Sequence, residues 1–122
     1  MDFKIELIPI AVTDIDRTKD FYASIGWEAD QDHTVTEDLR FVQVTPPGSA
    51  ASFCFGKGLE MLSPGWKQYI QVVVGDADEA YAYLKERGVD CTPVDDQPWG
   101  RFVTFEDPDG NRWALQQIVR AS

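Results

Sequence analysis

Val12-Thr13-Asp14-Ile15-Asp16 is answered 62 residues later by Val74-Gly75-Asp76-Ala77-Asp78, and this pair of phrases decides the fold. At the same shift Gly26 falls on Gly88, Pro46 on Pro108 and Gly48 on Gly110, with aromatic Phe21 over Tyr83. The turn Thr45-Pro46-Pro47-Gly48 lies over Asp107-Pro108-Asp109-Gly110 in the same frame. One register that holds from residue 12 to residue 48 without a gap marks an internal duplication, the first thing to seek in a sequence. The modules run over about residues 1–60 and 61–122.

Outward from the two phrases, each half reads as strand, helix, then three strands. Ile5 to Val12 is rich in β-branched residues, and Thr13 or Asp14 can cap the helix that follows. Ile15, Thr18, Tyr22 and Ile25 recur at helical spacing, and Gly26 stands where a left-handed terminating residue is needed. The second half predicts a strand over 69–74 and a helix over about 76–87 with Ala77, Ala80 and Leu84 on one face, ended by Gly88. Short strands are expected near 27–32, 39–45 and 50–56, and again near 90–95, 101–106 and 111–119. The stretch from Gly56 to Gly65 reads as the linker between halves.

At 122 residues the chain suits one domain built of two small modules. Its 21 acidic and 11 basic residues give a formal charge of −10, which argues against nucleic acid and anionic membrane surfaces as partners. No apolar run approaches the roughly 20 residues of a membrane span, and the start Met1-Asp2-Phe3-Lys4 lacks signal-peptide features. The expectation is a soluble, cytoplasmic protein. Cys54 and Cys91 form no metal-binding or disulfide pattern and read as small buried side chains.

A tandem βαβββ unit with a V-x-D helix start and the turn Asp107-Pro108-Asp109-Gly110-Asn111 before the last strand resembles the glyoxalase, bleomycin-resistance and extradiol-dioxygenase superfamily, also called vicinal oxygen chelate, over essentially the whole chain. Gln97-Pro98-Trp99-Gly100-Arg101 makes it most similar to the bleomycin-resistance proteins. The resemblance implies an α+β fold of two cup-shaped mixed sheets paired in a dimer, where a partner would cover an open apolar face. Pro9 stands where those proteins carry a proline associated with exchange of the first strand between subunits; a proline on an ordinary edge strand fits the position equally.

Enzymes of the superfamily hold a divalent metal on His, Glu or Gln side chains from the first and last strands of each module. Carried over by position, those sites are Leu7, Ser52, Tyr69 and Ala114, or with a slip of two residues Pro9, Cys54, Gln71 and Gln116. Neither set offers a carboxylate or an imidazole, so no metal and no cofactor is expected. His33, the only histidine, lies in the acidic stretch Asp30-Gln31-Asp32-His33, which reads as a solvated loop. One histidine does not assemble a Ser/His/Asp or Cys/His nucleophile, no phosphate loop is present, and adjacent Asp95 and Asp96 point apart in extended chain.

The resemblance instead implies aromatic side chains that clasp a flat, cationic ligand, with the acidic field assisting. Candidates are Trp66 and Trp99, in loops beside glycines, with Tyr69, Phe41 and Phe55 on strands. Phe53 and Phe55 also suit a core. Arg101 and Gln116 are candidates to orient polar ligand groups, Arg101 having the alternative of pairing with a neighbouring acid. The reading is a metal-independent, homodimeric binder of an aromatic or cationic antibiotic or metabolite, as in antibiotic resistance. The alternatives are a superfamily enzyme (lyase, isomerase or dioxygenase) with an altered site, and an interaction module whose cups are filled by its own side chains.

Overall fold

A computed structural model describes residues 1–60 and 65–119. The chain divides into two compact units, Met1–Lys67 and Gln68–Ser122. The first contains β1 (Leu7–Pro9), α1 (Ile15–Ser24), β2 (Ala29–Thr36), β3 (Leu39–Val44) and β4 (Ser52–Lys57). The second contains β5 (Tyr69–Val73), α2 (Ala77–Glu86), β6 (Asp95–Gln97), β7 (Gly100–Glu106) and β8 (Arg112–Ile118). Each is a βαβββ module with one four-stranded mixed sheet, in the orders β1-β4-β3-β2 and β5-β8-β7-β6. The first and last strands of each module run parallel, and the remaining pairs are antiparallel.

Capping chemistry sets the helix ends. Asp14 accepts from the Arg17 N–H at 3.0 Å, and Asp76 accepts from the Glu79 N–H at 3.0 Å, each satisfying a donor that the first helical turn leaves open. Gly26 and Gly88 follow at φ 84° and 73°, the left-handed conformation that side chains with a Cβ resist. Thr18, Tyr22 and Ile25 are buried, as the helical spacing requires, and so are Ala77 and Leu84.

Beneath α1 the core is aromatic: Tyr22 meets Phe53 edge-on at 4.7 Å and lies 6.2 Å from Phe55, while Trp27 stacks on Tyr22 at 5.9 Å. Beneath α2, Phe105 and Trp113 stack with centroids 6.5 Å apart. The turn at Asp107 is a buried hydrogen-bonded knot. One Asp107 oxygen accepts from the Asp109 and Asn111 N–H groups, the other accepts from Asn111 Nδ2, and Asn111 Oδ1 accepts from the Gln68 N–H at the start of β5.

Two details depart from the sequence reading. β2 extends to Thr36, so His33 stands in a strand opposite Phe41 and not in a loop. Seven of the eight β2 residues are exposed, so no apolar alternation announces this edge strand; pairing to β3 makes it. β6 is confined to Asp95–Gln97, and the stretch before it contributes only the isolated bridge Cys91↔Phe105. The expected linker falls partly on residues 61–64, outside the described residues.

Candidate functional site

Alternation assigns the faces of each sheet. In the first, Ile10, Val42, Val44, Phe53 and Phe55 lie on the helix side, leaving Leu7, Pro9, Phe41, Gln43, Ser52 and Cys54 on the open face. In the second, Val103, Phe105, Trp113 and Leu115 face α2, leaving Tyr69, Gln71, Val73, Phe102, Thr104, Ala114, Gln116 and Ile118 on the open face. The pairing Leu7↔Ser52 is not repeated at the 62-residue shift, because Tyr69 stands opposite Arg112 and Gln71 opposite Ala114. A slide of two residues keeps every side chain on its face, so both sets of positions that the resemblance assigned to metal ligands face outward from the helices.

Those positions do not fit a divalent ion. Leucine, alanine and proline carry no donor atom, and the Ser52 hydroxyl is engaged with Thr45 Oγ1 at 2.5 Å. Gln71 and Gln116 are engaged with each other, and burial pushes the Cys54 thiol up, away from the thiolate a metal needs. Among the described residues no group of three or more His, Cys, Asp or Glu converges.

The second sheet's open face holds a concavity of about 670 Å³ lined by Tyr69, Gln71, Asp95, Gln97, Trp99 and Phe102, with Thr92–Val94 and Thr104 at its side. Three aromatic rings border one space. Trp99 occupies the tip of the β6–β7 hairpin and is 63% exposed; Tyr69, on edge strand β5, is 61% exposed. Gly100 packs closely on β8, where a Cβ would lie 3.0 Å from the Gln117 carbonyl oxygen. Gln116, on β8 outside the lining, braces it: Gln71 Nε2 donates to Gln116 Oε1 at 2.6 Å, and Gln116 Nε2 donates to the Trp99 carbonyl at 3.1 Å. Asp95 accepts from Gln97 Nε2 at 2.9 Å and forms no ion pair among the described residues. The Arg112 guanidinium stands 5.8 Å from the Tyr69 ring, its charge met by Glu106 at 2.9 Å.

The other candidate residues lie elsewhere. Arg101 is on the helix side, where it bonds Asp96 at 2.7 Å and Asp78 at 3.0 Å, the second of the two roles the sequence left open for it. Asp96 thus points to the helix side and Asp95 to the concavity. Phe55 is 0% exposed beneath α1, taking the core role. Phe41 is half-buried on the first sheet's open face, opposite Gly56. Trp66, 66% exposed, precedes β5 outside the concavity's lining. Gln71, Gln97 and Phe102 complete the site. The period-2 alternation of Tyr69, Gln71 and Val73 was the signal for Gln71, and the pairing partner of Gln116 was the signal for Phe102.

A family model described as Glyoxalase/Bleomycin resistance protein/Dioxygenase superfamily matches residues 4–115. TnmS3, an antibiotic binding protein from Streptomyces sp. CB03234, is 31% identical with a TM-score of 0.82, over 97% of this chain and 98% of that one. A superfamily member from Sphaerobacter thermophilus DSM 20745 is 34% identical with a TM-score of 0.79, over 95% and 98%. YetH of Bacillus subtilis (strain 168) is 26% identical over 117 residues, 93% of this chain and 98% of that protein.

Proposed function

We propose that this chain, which belongs to the Glyoxalase/Bleomycin resistance protein/Dioxygenase superfamily, is a metal-independent binding protein for a flat aromatic antibiotic or metabolite, held in the concavity of the second unit. The observation that carries the reading is the pair of large, exposed rings, Trp99 and Tyr69, bordering one space of about 670 Å³ with Phe102. Exposed aromatics around a concavity are expensive in water and useful to a ligand: stacking and ring-edge contacts supply about 0.5–1.5 kcal/mol each beyond area burial. A chain of formal charge −10 favours neutral or cationic ligands over anionic ones. The antibiotic-binding description of TnmS3, a relative across nearly the full length, supports the same class.

The donor set supports metal independence, because the positions that the family resemblance assigns to metal ligands carry apolar groups, hydroxyls, mutually bonded amides and a thiol. A homodimer is part of the proposal: Tyr69, Val73 and Ile118 are exposed on one sheet face, apolar surface of the kind a second copy covers. No helix among the described residues is long and apolar enough to cross a membrane.

The test is tryptophan fluorescence quenching by a panel of planar aromatic compounds, cationic, neutral and anionic, in EDTA and again with added nickel, zinc, manganese or iron. Saturable quenching in EDTA that Trp99→Ala abolishes supports the proposal. A strict requirement for a metal, or quenching unaffected by Trp99→Ala, contradicts it.

A further inference from the structure

The orientation of the Gln71 amide in the concavity, and of Gln116 beside it, is fixed by a group that cannot be turned around. The Trp99 carbonyl only accepts, so Gln116 must present its NH2 to it at 3.1 Å. Gln116 Oε1 then faces Gln71, and Gln71 must answer with its own NH2 at 2.6 Å. The backbone of the hairpin tip thereby decides, through two side chains, which end of Gln71 remains for a ligand. It is the carbonyl oxygen, on an exposed residue that lines the concavity: no group among the described residues donates to it, while one of the two Gln71 side-chain N–H groups is already engaged with Gln116.

A second observation points the same way. Asp95, on the same lining, is a carboxylate that accepts from the Gln97 amide, and none of the lining residues is Lys, Arg or His. The Thr92 hydroxyl already accepts from the Thr104 N–H at 2.9 Å. The lining thus places two acceptor groups, Gln71 Oε1 and the Asp95 carboxylate, beside the rings.

Resting on the function proposed above, we infer that Gln71 is a selectivity residue and that the concavity takes planar aromatic ligands carrying hydrogen-bond donors, phenolic hydroxyl or amine N–H, in preference to the same ring systems bearing only acceptors. A donor on the ring edge meets Gln71 Oε1; an ether or ketone oxygen at that place meets another oxygen and leaves both without a partner, which is the costly outcome. Tyr69 and Trp99 contribute to any flat ring alike.

The probes are 6-hydroxyquinoline and 6-methoxyquinoline, titrated at pH 8 into the full chain in EDTA and followed by amide and side-chain nitrogen NMR. The wild type is expected to prefer the hydroxyl probe by about tenfold, the scale of one net hydrogen bond, and Gln71→Met to lose that preference. Trp99→Ala weakens both alike. In the wild type, the Gln71 side-chain amide shifts further with the hydroxyl probe than with the methoxy probe, a readout that needs no variant. Equal affinities, or a preference that survives in Gln71→Met, overturn this inference and leave the binding function standing. Failure of both probes to shift Trp99 and Tyr69 overturns the two together.

Discussion

The Arg101 guanidinium grips the Asp78 carboxylate with two hydrogen bonds, Nη1 to Oδ2 at 3.0 Å and Nη2 to Oδ1 at 3.2 Å, and it does so on the helix side of its sheet. Arg40 repeats the device in the first unit, bonding Asp16 in the first turn of α1 at 2.9 Å and Asp32 of β2 at 2.9 Å, as Arg101 bonds Asp78 of α2 and Asp96 of β6. Each arginine ties the start of its helix to the sheet's outer hairpin. Arg101→Met is expected to lower the melting temperature and leave aromatic-ligand affinity within about twofold, since exposed pairs stabilise modestly. A selective loss of ligand affinity without a change in melting would return Arg101 to the binding site.

The same clusters set an acid response. The Arg40 and Lys19 hydrogen bonds hold the Asp32 carboxyl well below the usual carboxylate range, and Arg101 lowers that of Asp78. A carboxyl whose folded pKa lies below its unfolded value stabilises above the unfolded value, about 3.9, and loses that contribution as pH falls through the folded one. Stability is therefore expected to decline below about pH 4, and Asp32→Asn to flatten that limb. Urea unfolding between pH 2 and 7 reads it directly.

Asn111 is 0% exposed and joins Asp107 to the Gln68 N–H. Asn111→Ala is expected to cost about 2 kcal/mol, because it removes the side-chain hydrogen bonds to the buried Asp107 carboxylate and to the Gln68 N–H. Asp14→Ala and Asp76→Ala should each cost about 1 kcal/mol as lost helix caps. Chemical denaturation of the variants ranks the three.

Phe55→Ala is expected to cost about 3–5 kcal/mol, the scale of an aromatic removed from a closed core. Wherever the variant remains folded, its quenching by planar ligands should match the wild type. A ligand defect larger than the loss of folded protein would mean that Phe55 reaches the ligand.

Much of this architecture was legible in the repeat. The capping aspartates, the left-handed Gly26 and Gly88 and the order of elements follow from local chemistry that the 62-residue shift displays twice. The site was less legible because it depends on faces and on pairing across sequence. Arg101 follows Trp99 by two residues, yet the hairpin turn between them places the indole beside the concavity and the guanidinium on the helix side. Gln71 becomes informative only through Gln116 and the Trp99 carbonyl, brought together by strands that are distant in the chain. β2 lacks the apolar alternation that would have placed His33 in a strand.

The most direct measurement is a nitrogen–proton NMR titration of the full chain with a planar aromatic ligand, in EDTA, watching the Trp99 indole and the Gln71 and Gln116 side-chain amides. Binding in the concavity predicts saturable, concerted shifts of all three without added metal. Shifts confined to other residues, or appearing only once a divalent metal is supplied, would contradict the account.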